Sequence, residues 1–294
     1  MPTTRPRKLR LGGLELSVTL ERTLAERVRG SLPYRLLHGS PPTYPVRNGE
    51  PVLNGTKLSD IDWYHTIDLG NGIVTPGFVD HRDQVKLYGL PDSLAGKRCL
   101  DVATFDGFWA FELEKRGAAE VIGIDVYSLS DCDCPLNWRS EYLGSRANDL
   151  KGFGFAYAKR VLNSKVQRKV LSVYDLSPEK IGTFDFVFMS DLLLHLREPL
   201  RALEALWTVT RGEAIIAETY DRQLESSGAV NSMRFLLGLD DYSGCFWWGF
   251  TTTVLEVMLQ VARFQDVQKI AQFDMKIKKG VDVPKVVFKA RGGG

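Results

Sequence analysis

From residue 97 onward, short apolar runs alternate with segments whose apolar residues recur at helical spacing. Such alternation is typical of a parallel sheet wrapped by helices. The apolar runs predict seven strands, at Arg98–Ala103, Val121–Asp125, Val170–Tyr174, Phe184–Met189, Glu213–Glu218, Asp266–Ile270 and Lys285–Ala290. The helical segments predict four helices, at Gly107–Arg116, Asp149–Val161, Glu198–Trp207 and Thr252–Arg263. Because the last two strands follow each other like a hairpin, the pattern predicts an α/β fold, a doubly wound seven-stranded sheet with a reversed last strand.

The first 82 residues do not share this pattern. Leu20, Leu24 and Val28 lie at helical spacing and predict an amphipathic helix that ends at Gly30. Residues 31–60 are rich in Pro, Gly, Ser and Asn and read as an irregular connection, and residues 61–82 combine aromatic residues with turn signals. We therefore predict an N-terminal extension over residues 1–82, a main domain over 83–291 and a flexible tail over 292–294.

The composition is that of an ordinary globular protein. Hydrophobic residues make up 44% of the 294 residues and charged residues 25%, which excludes wholesale disorder. No apolar run approaches the ~20 residues that a membrane-spanning helix needs, and the basic N-terminal region lacks the apolar core of a signal peptide. Four cysteines in a chain of this length do not make a disulfide scaffold. The expectation is a soluble, cytoplasmic protein without a membrane partner.

The charge balance argues against a dedicated nucleic-acid-binding protein. The chain has 38 basic and 36 acidic residues, a net charge of +2, whereas phosphate binding normally requires a stronger basic excess. A local exception near the C-terminus contains Lys276, Lys278, Lys279, Lys285, Lys289 and Arg291. We interpret it as a solvated strand edge whose lysines discourage edge-to-edge pairing, with a polyanion-binding patch as the alternative.

The segment Cys99–Gly107 indicates a nucleoside cofactor. It leads from the first predicted strand into a helix, where ligands bind in doubly wound sheets. Asp125 ends the next strand and can accept hydrogen bonds from both hydroxyls of a ribose. The G-x-G-x-x-G pattern of pyrophosphate-binding loops is missing, and the acidic Asp101 suits a cationic ligand better than a diphosphate. These features fit S-adenosylmethionine, which carries a sulfonium and no phosphate; the alternative is a strand-end aspartate satisfied within the fold.

Residues 61–291 resemble the class I S-adenosylmethionine-dependent methyltransferases. The matching motifs are Trp63–Ile67, Leu100–Gly107, Gly123–Asp125, Phe184–Phe188, Leu193–Leu196, Ala217–Thr219 and the late helix that ends at Phe264. More narrowly, the chain looks like the branch related to tRNA uridine-5-oxyacetic acid (carboxymethyl)transferases. The resemblance implies a Rossmann-like sheet, S-adenosylmethionine as the cofactor, and an N-terminal segment that folds over it as a lid. Ala103 and Phe105 stand where the family has glycines, so the loop geometry should be only partly inherited.

The resemblance also implies which residues bind the cofactor. Asp101 would lie near the methionine amino group and Asp125 on the ribose. Asp175 would accept a hydrogen bond from the adenine amine; the alternative is that it caps the helix that begins near Ser177. The full predicted set is Asp101, Ala103, Thr104, Phe105, Gly107, Asp125, Val126, Tyr174, Asp175, Leu176 and Ser190.

Candidate catalytic residues follow the strand ends on the same edge of the sheet. Methyl transfer requires alignment of the acceptor and, for some acceptors, removal of a proton. His195, Asp191 and Glu218 are the candidates for that proton. His195 suits an O–H or N–H acceptor because imidazole titrates near neutrality; the alternative is a histidine that packs among leucines and only braces its loop.

Three further side chains are candidates for substrate contact. His65 would reach the substrate from the lid as a hydrogen-bonding group, and Trp247 or Trp248 would stack on it, with core packing as the alternative for the tryptophans. No metal site is predicted. Cys132 and Cys134 have a zinc-compatible spacing, but no second pair of ligands with matching spacing is present.

Two enzymatic functions compete. The leading interpretation is a biosynthetic methyltransferase with a small-molecule acceptor. The alternative is a tRNA wobble-uridine (carboxy)methyltransferase, which would use carboxy-S-adenosylmethionine. In that family a tyrosine precedes the histidine after the fourth strand, where this chain has Leu194, and a lysine- and tryptophan-rich segment is replaced by Phe78–Gln84. The family's late arginine-bearing segment is not recognisable among Lys276–Pro284, so ordinary S-adenosylmethionine is favoured. A non-enzymatic cofactor-binding scaffold is disfavoured because titratable groups follow the strands.

Overall fold

The computed structural model describes residues 53, 55–134, 152–236, 246–277, 280 and 282–293, together with four short strands before them. By packing, the chain divides into two units, Met1–Thr43 and Tyr44–Gly294. The first unit contains an antiparallel hairpin of two strands, in which Arg7 lies opposite Val18. The helix predicted on Leu20, Leu24 and Val28 lies outside the described residues. The predicted domain boundary after residue 82 stays a prediction.

The strands are numbered here along the whole chain. They are β1 (Arg7–Leu11), β2 (Leu14–Val18), β3 (Val46–Arg47), β4 (Glu50–Pro51), β5 (Arg98–Val102), β6 (Glu120–Asp125), β7 (Gln167–Val170), β8 (Phe184–Ser190), β9 (Thr210–Thr219), β10 (Met233–Phe235), β11 (Trp248–Phe250), β12 (Gln265–Lys276) and β13 (Asp282–Arg291). The helices are α1 (Phe108–Lys115), α2 (Phe153–Leu162), α3 (Pro178–Ile181), α4 (Pro199–Val209), α5 (Arg222–Ser226) and α6 (Thr252–Val261).

A seven-stranded sheet organises the second unit. Its order is β12-β13-β9-β8-β5-β6-β7. Strands β5 to β9 are parallel to one another, whereas β13 is antiparallel to both β9 and β12. The predicted fold class, with its reversed last strand, is therefore confirmed.

The third predicted strand, Val170–Tyr174, is wrong. The strand ends at Val170, and Val173–Asp175 form a 3-10 turn in which the Ser172 hydroxyl oxygen accepts a hydrogen bond from the Tyr174 N–H, at 3.3 Å. The true strand, β7, lies at the edge of the sheet and exposes three of its four residues. Its sequence is therefore polar, and it lacks the apolar run by which the central strands were predicted.

Side chains alternate between two core layers on the two faces of the sheet. Along β8, Phe186 and Phe188 enter the layer that also contains α1 and α2, whereas Val187 and Met189 enter the layer that contains α4 and α6. Both layers consist of fully buried aliphatic and aromatic side chains. The sheet is thus covered on both faces, which leaves its carboxyl edge as the place where loops can form a site.

Residues 61–82, called the strap below, dock on the first of these layers. Trp63, Ile67 and Leu69 are buried with the side chains of α1. The strap folds back on itself, since the Thr66 N–H donates to the Val79 carbonyl at 2.7 Å and the Val79 N–H donates to the Tyr64 carbonyl at 2.8 Å. These bonds join the two halves of the strap and fix its backbone. The predicted function of the strap as a lid stays a prediction.

The close approach of the two halves of the strap depends on Gly77. A Cβ atom at this position would lie 2.0 Å from the backbone carbon of His65, which real structures do not allow. We expect Gly77→Ala to undock the strap, because backbone atoms cannot move aside as a side chain can. Limited proteolysis should then cut the strap faster than in the unchanged protein.

Gly72→Ala is the matched control within the strap. Gly72 has a φ of +76° but nothing within 4 Å of a Cβ atom. This variant should carry only the backbone cost of a left-handed alanine, about 1 kcal/mol, and keep the strap docked. Equal cleavage rates for Gly77→Ala and the unchanged protein would contradict the tight docking.

Candidate functional site

The candidate site lies at the carboxyl edge of the parallel strands. Strands β6 and β8 flank β5, with Val102 paired to Ile124 on one side and to Met189 on the other. The loops that follow these three strands therefore emerge side by side. Asp101, Asp125 and Ser190 each lie at or next to the end of their strand.

The loop after β5 has a strained backbone. Ala103, Phe105 and Gly107 have φ values of +60°, +46° and +89°, the left-handed region that favours glycine. The sequence led us to expect a loop geometry that is only partly inherited, yet two non-glycine residues adopt it here. Such strain costs of order 1 kcal/mol or more per residue and concentrates at functional sites. The Thr104 N–H, which donates to the Ile124 carbonyl at 2.9 Å, ties the loop to β6.

Asp101 presents a buried carboxylate beneath this loop. The residue is 1% exposed, and its Oδ2 atom has no hydrogen-bond partner within the described part of the chain. Burial, with a smaller contribution from the charge of Asp125, raises its pKa to about 7, against the opposing effect of hydrogen bonds from Thr104 and from the Ala110 backbone. A buried carboxylate with an unsatisfied oxygen favours a cationic or hydrogen-donating ligand.

Asp125 joins the loops after β5 and β6. Its Oδ2 accepts a hydrogen bond from the Phe105 N–H at 3.0 Å, and its Oδ1 accepts one from the Val126 N–H at 2.8 Å. Each carboxylate oxygen can accept more than one hydrogen bond. Asp125 can therefore orient the strained loop and still receive the hydroxyls of a ribose.

Asp106, which the sequence analysis did not select, anchors the strap to the loop after β5. Its Oδ2 accepts hydrogen bonds from the backbone N–H groups of Tyr64 and His65, at 2.7 and 2.9 Å. The Tyr64 ring also packs edge-on against Phe105, with centroids 5.3 Å apart. The strap thus contacts the strained loop directly.

The strap histidines are buried and neutral. Burial lowers the pKa of His65 to about 3, and the His65 ring stacks on Phe108 with centroids 5.6 Å apart. His81 shares a hydrogen bond of 3.2 Å with the Tyr88 hydroxyl, and burial lowers its pKa well below the ordinary value. A cationic role for either histidine is therefore disfavoured, and the predicted contact of His65 with substrate stays a prediction.

Glu218 holds the loop that carries His195. Its Oε1 accepts hydrogen bonds from the N–H groups of Leu192 and Leu193, both at 2.9 Å. The side chain is fully buried, which raises its pKa to about 7. These contacts favour a bracing role over direct proton transfer. His195 itself is half-buried in a 3-10 turn, with its ring 4.9 Å from that of Phe246.

Asp191 takes part in a polar cluster with Lys285 and Thr219. The Lys285 ammonium contacts Asp191 Oδ1, and the Thr219 hydroxyl donates to the same oxygen at 2.8 Å. Lys285 is fully buried, so its assignment to a solvated strand edge is wrong. Lys285 lies on β13, opposite Thr219 of β9. This is near the start of β13, at the carboxyl edge of the sheet. Lys289, four residues later, pairs with Glu213 and is partly exposed, as the edge interpretation expects.

A second cluster gathers around Asp133, another residue that the sequence analysis passed over. Its Oδ2 accepts hydrogen bonds from the Tyr174 hydroxyl at 2.7 Å and the Arg197 N–H at 2.6 Å. Its carbonyl accepts one from the Trp247 indole at 2.5 Å. Tyr174 and Trp247 thus form a wall of the site, and Trp248 donates to the Arg197 carbonyl at 3.3 Å. Substrate contacts of both tryptophans stay predictions.

Asp175 lies apart from these groups. Its carboxylate is exposed and pairs with Lys180 at 3.3 Å, which does not favour a contact with a buried adenine. The predicted adenine contact stays a prediction. The alternative is wrong, because Ser177 and not Asp175 occupies the N-cap position of α3. Leu176, the next residue, is buried in the core.

Other chemistry at the site is limited in the part of the chain that the structure describes. No three His, Cys, Asp or Glu side chains there come together in a way that could hold a metal ion. Cys99 and Cys132 are not disulfide-bonded, whereas Cys134 is. No helix in the described ranges is both long and apolar enough to cross a bilayer.

Known proteins resemble the chain at moderate distance. It is 30% identical over 179 residues to the tRNA U34 carboxymethyltransferase of Pseudomonas paraeruginosa, a match that covers 60% of this chain and 47% of that protein. It is 26% identical over 156 residues to the ubiquinone biosynthesis O-methyltransferase of Acinetobacter baylyi, which covers 51% and 57%. The chain thus spans about half the length of the curated relatives it matches. No protein-family model matches it.

Solved structures share the fold. The N-terminal domain of EvdMO1, crystallised in the presence of SAH and D-fucose, aligns with a TM-score of 0.53 at 16% identity and covers 79% of this chain and 91% of that one. The same domain with SAH bound aligns with a TM-score of 0.51 at 15% identity, and covers 79% and 92%. These sequence relatives and the shared fold are consistent with the resemblance to the class I S-adenosylmethionine-dependent methyltransferases.

Proposed function

We propose that this protein transfers a methyl group from S-adenosylmethionine to a small molecule, in the cytoplasm. The observation that carries the cofactor assignment is the buried carboxylate of Asp101, whose Oδ2 has no hydrogen-bond partner in the described ranges. A phosphate-bearing dinucleotide would be repelled there, since Asp101 and Asp125 bring two carboxylates to the same edge of the sheet. An amino acid joined to a nucleoside brings an ammonium and ribose hydroxyls instead.

The residues fit the parts of that cofactor one by one. Asp101 would receive the ammonium, and Asp125 would accept hydrogen bonds from the ribose hydroxyls while it orients the Phe105 N–H. The strained loop from Ala103 to Gly107 would pass beneath the nucleoside, and the wall around Tyr174 would lie on the adenine side. When bound, S-adenosylmethionine supplies a methyl group on an activated sulfonium.

The protein's own contribution is then to align the acceptor and to move a proton. His195, in the loop braced by Glu218, would accept a proton from a hydroxyl or amine acceptor. Asp191, four residues earlier in the chain, offers a second proton acceptor. Trp248, half-buried before α6, would provide a flat surface on which an acceptor stacks.

The small-molecule assignment rests on the low net charge of the chain and on the groups at Lys285 and Leu194. Net charge is +2, too low for tight binding of a polyanion through counterion release. Carboxy-S-adenosylmethionine would bring an additional carboxylate, which needs a cation or a phenol. The buried Lys285 already faces Asp191, and Leu194 offers no hydroxyl.

The second candidate is a tRNA wobble-uridine carboxymethyltransferase. It is favoured by the curated relatives with that name, which are 30% identical to this chain over 179 residues. The two functions separate in a binding experiment. We expect bulk tRNA to bind weakly, with an affinity that collapses as salt rises. Sub-micromolar, specific tRNA binding at physiological salt, or a preference for carboxy-S-adenosylmethionine, would favour the second candidate and overturn the first.

Cofactor binding should depend on pH through Asp101. Because burial raises the pKa of this carboxyl to about 7, it is largely protonated at pH 6 and ionised at pH 8. An ammonium ligand requires the ionised form, so affinity for S-adenosylmethionine should fall about tenfold per pH unit below pH 7. Calorimetric titration between pH 5 and 8 measures this slope.

Asp101→Asn is the matched variant, since it keeps the shape and removes the titration. Its affinity should be lower and independent of pH in that range. The cofactor-free protein also gains stability on acidification from this group, because a raised pKa favours the protonated carboxyl in the fold; the gain is lost as pH rises from about 4 to about 7. A steep pH dependence that persists in Asp101→Asn would assign the proton to another group.

A further inference from the structure

A buried ion pair closes the sheet edge beside the proposed acceptor position. The Lys285 ammonium contacts Asp191 Oδ1 and lies 3.1 Å from the Thr219 hydroxyl oxygen. The Lys285 side chain is 0% exposed, whereas that of Asp191 is 18% exposed. The pair therefore has an inner end at Lys285 and an outer end at Asp191. Burial lowers the pKa of Lys285 well below its ordinary value, and the contact with the Asp191 carboxylate opposes that shift.

The two oxygens of Asp191 have different surroundings. Oδ1 receives both Lys285 and the Thr219 hydroxyl, the latter at 2.8 Å. Oδ2 receives the Ser190 hydroxyl at 3.3 Å. The backbone is fixed as well: φ is +53°, and the Asp191 N–H donates to the Ala217 carbonyl at 2.9 Å. A left-handed aspartate held in this way is a form of strain that proteins keep at functional sites.

Other titratable groups near this pair are engaged elsewhere. Glu218 is bonded to the backbone of Leu192 and Leu193. His81 lies close enough to Lys285 for the lysine's charge to lower the pKa of the imidazole, which is therefore neutral. Among the described residues, Asp191 is the only carboxylate at ion-pair distance from Lys285.

We propose that Lys285 is a positioning residue for Asp191: it holds Oδ1 at the sheet edge so that Oδ2 faces the reacting centre, where it is the second proton acceptor beside His195. Strand β8, which Asp191 follows, pairs directly with β5, which carries Asp101. Neighbouring strands lie about 4.8 Å apart, so Asp191 emerges one strand from the site assigned to the cofactor's amino acid. The inference rests on the proposed function, since that function defines the reacting centre.

The experiment follows the carboxyl carbon of Asp191 by NMR in protein labelled with ¹³C-aspartate, with Asp191→Asn to assign the resonance. S-Adenosylmethionine carries a sulfonium charge that S-adenosylhomocysteine lacks. Each ligand is kept at a concentration that saturates the site at every pH of the titration, because protonation of Asp101 weakens binding below pH 7. If Oδ2 faces the reacting centre, the pKa of Asp191 should be lower by about 1 with the first ligand than with the second. A structural ion pair distant from the sulfonium would show no difference between the two ligands.

The lysine is tested by substitution. Lys285→Met should raise the measured pKa of Asp191 by about 1–3, because an opposite charge in contact favours the carboxylate. Lys285→Arg should restore it. Lys289→Met is the control on the same strand, since Lys289 is an exposed partner of Glu213 at 2.5 Å. It should leave Asp191 unchanged.

The outcomes separate cleanly. An Asp191 pKa that is equal with the two ligands, or unchanged in Lys285→Met, overturns the inference. If calorimetry shows that neither ligand binds, the proposed function fails instead. Should Lys285→Met not fold, the comparison of the two ligands on the unchanged protein still decides whether Asp191 faces the reacting centre.

Discussion

The His195→Ala enzyme is expected to transfer the methyl group about 10²–10⁴-fold more slowly to a hydroxyl or amine acceptor, the usual loss when a general base is removed. The histidine lies half-buried in the turn that Glu218 braces, one strand away from β5. The affinity of the His195→Ala enzyme for S-adenosylmethionine should change little, because the His195 side chain would face the acceptor. Single-turnover transfer from labelled cofactor measures the rate once an acceptor is in hand.

Trp248→Ala is the comparison that separates proton removal from acceptor binding. Its indole donates to the Arg197 carbonyl and lies beside the same loop. Loss of an aromatic surface should weaken acceptor binding more than it slows a saturated turnover. If the acceptor is a carbon nucleophile such as an alkene, methylation forms a cation. Trp248 then becomes more important for the transfer than His195. A His195→Ala enzyme with the full transfer rate would reduce that residue to packing in its turn.

Asp125→Ala is expected to weaken S-adenosylmethionine binding by one to two orders of magnitude. Two hydrogen bonds from ribose hydroxyls to a charged acceptor, at roughly 1.5–3 kcal/mol each, are lost. Removal of the carboxylate also breaks the hydrogen bonds that the Phe105 and Val126 N–H groups donate to it, at 3.0 and 2.8 Å. Calorimetry on the purified variant gives the affinity directly.

Asp175→Ala is the matched control. Asp175 is an exposed aspartate whose partner is Lys180, so its removal should leave cofactor affinity unchanged. A marked loss in this variant would instead support the adenine contact that the sequence suggested. Unchanged affinity in Asp125→Ala would remove that residue from the site.

The sheet could be predicted from the sequence because its central strands are buried on both faces. Runs such as Phe186–Met189 are apolar and buried. The pairing of β5 with β6 and β8 brings Asp101 and Asp125 to one edge. Aspartates at strand ends were therefore found from their position in the pattern alone. The edge strand β7 was misplaced for the opposite reason, since its exposed positions are polar.

Contacts between residues far apart in the chain were beyond sequence reasoning. Asp106 meets the strap about forty residues earlier, and Asp133 joins Tyr174 and Trp247 across 41 and 114 residues. In the sequence, Lys285 could not be distinguished from the exposed Lys289, because residue type alone does not show whether the partner of a lysine lies inside the sheet. Alternation along β13 does not separate the two lysines, since they are four residues apart and point to the same face of the sheet.

The central claim, that the carboxyl edge of this sheet binds S-adenosylmethionine, is tested most directly by calorimetric titration of the purified protein with S-adenosylmethionine and, separately, with NAD. We expect S-adenosylmethionine to bind at one site per chain and NAD not to bind. Binding of S-adenosylmethionine should weaken below pH 7 as Asp101 is protonated. Micromolar binding of NAD without binding of S-adenosylmethionine would contradict it.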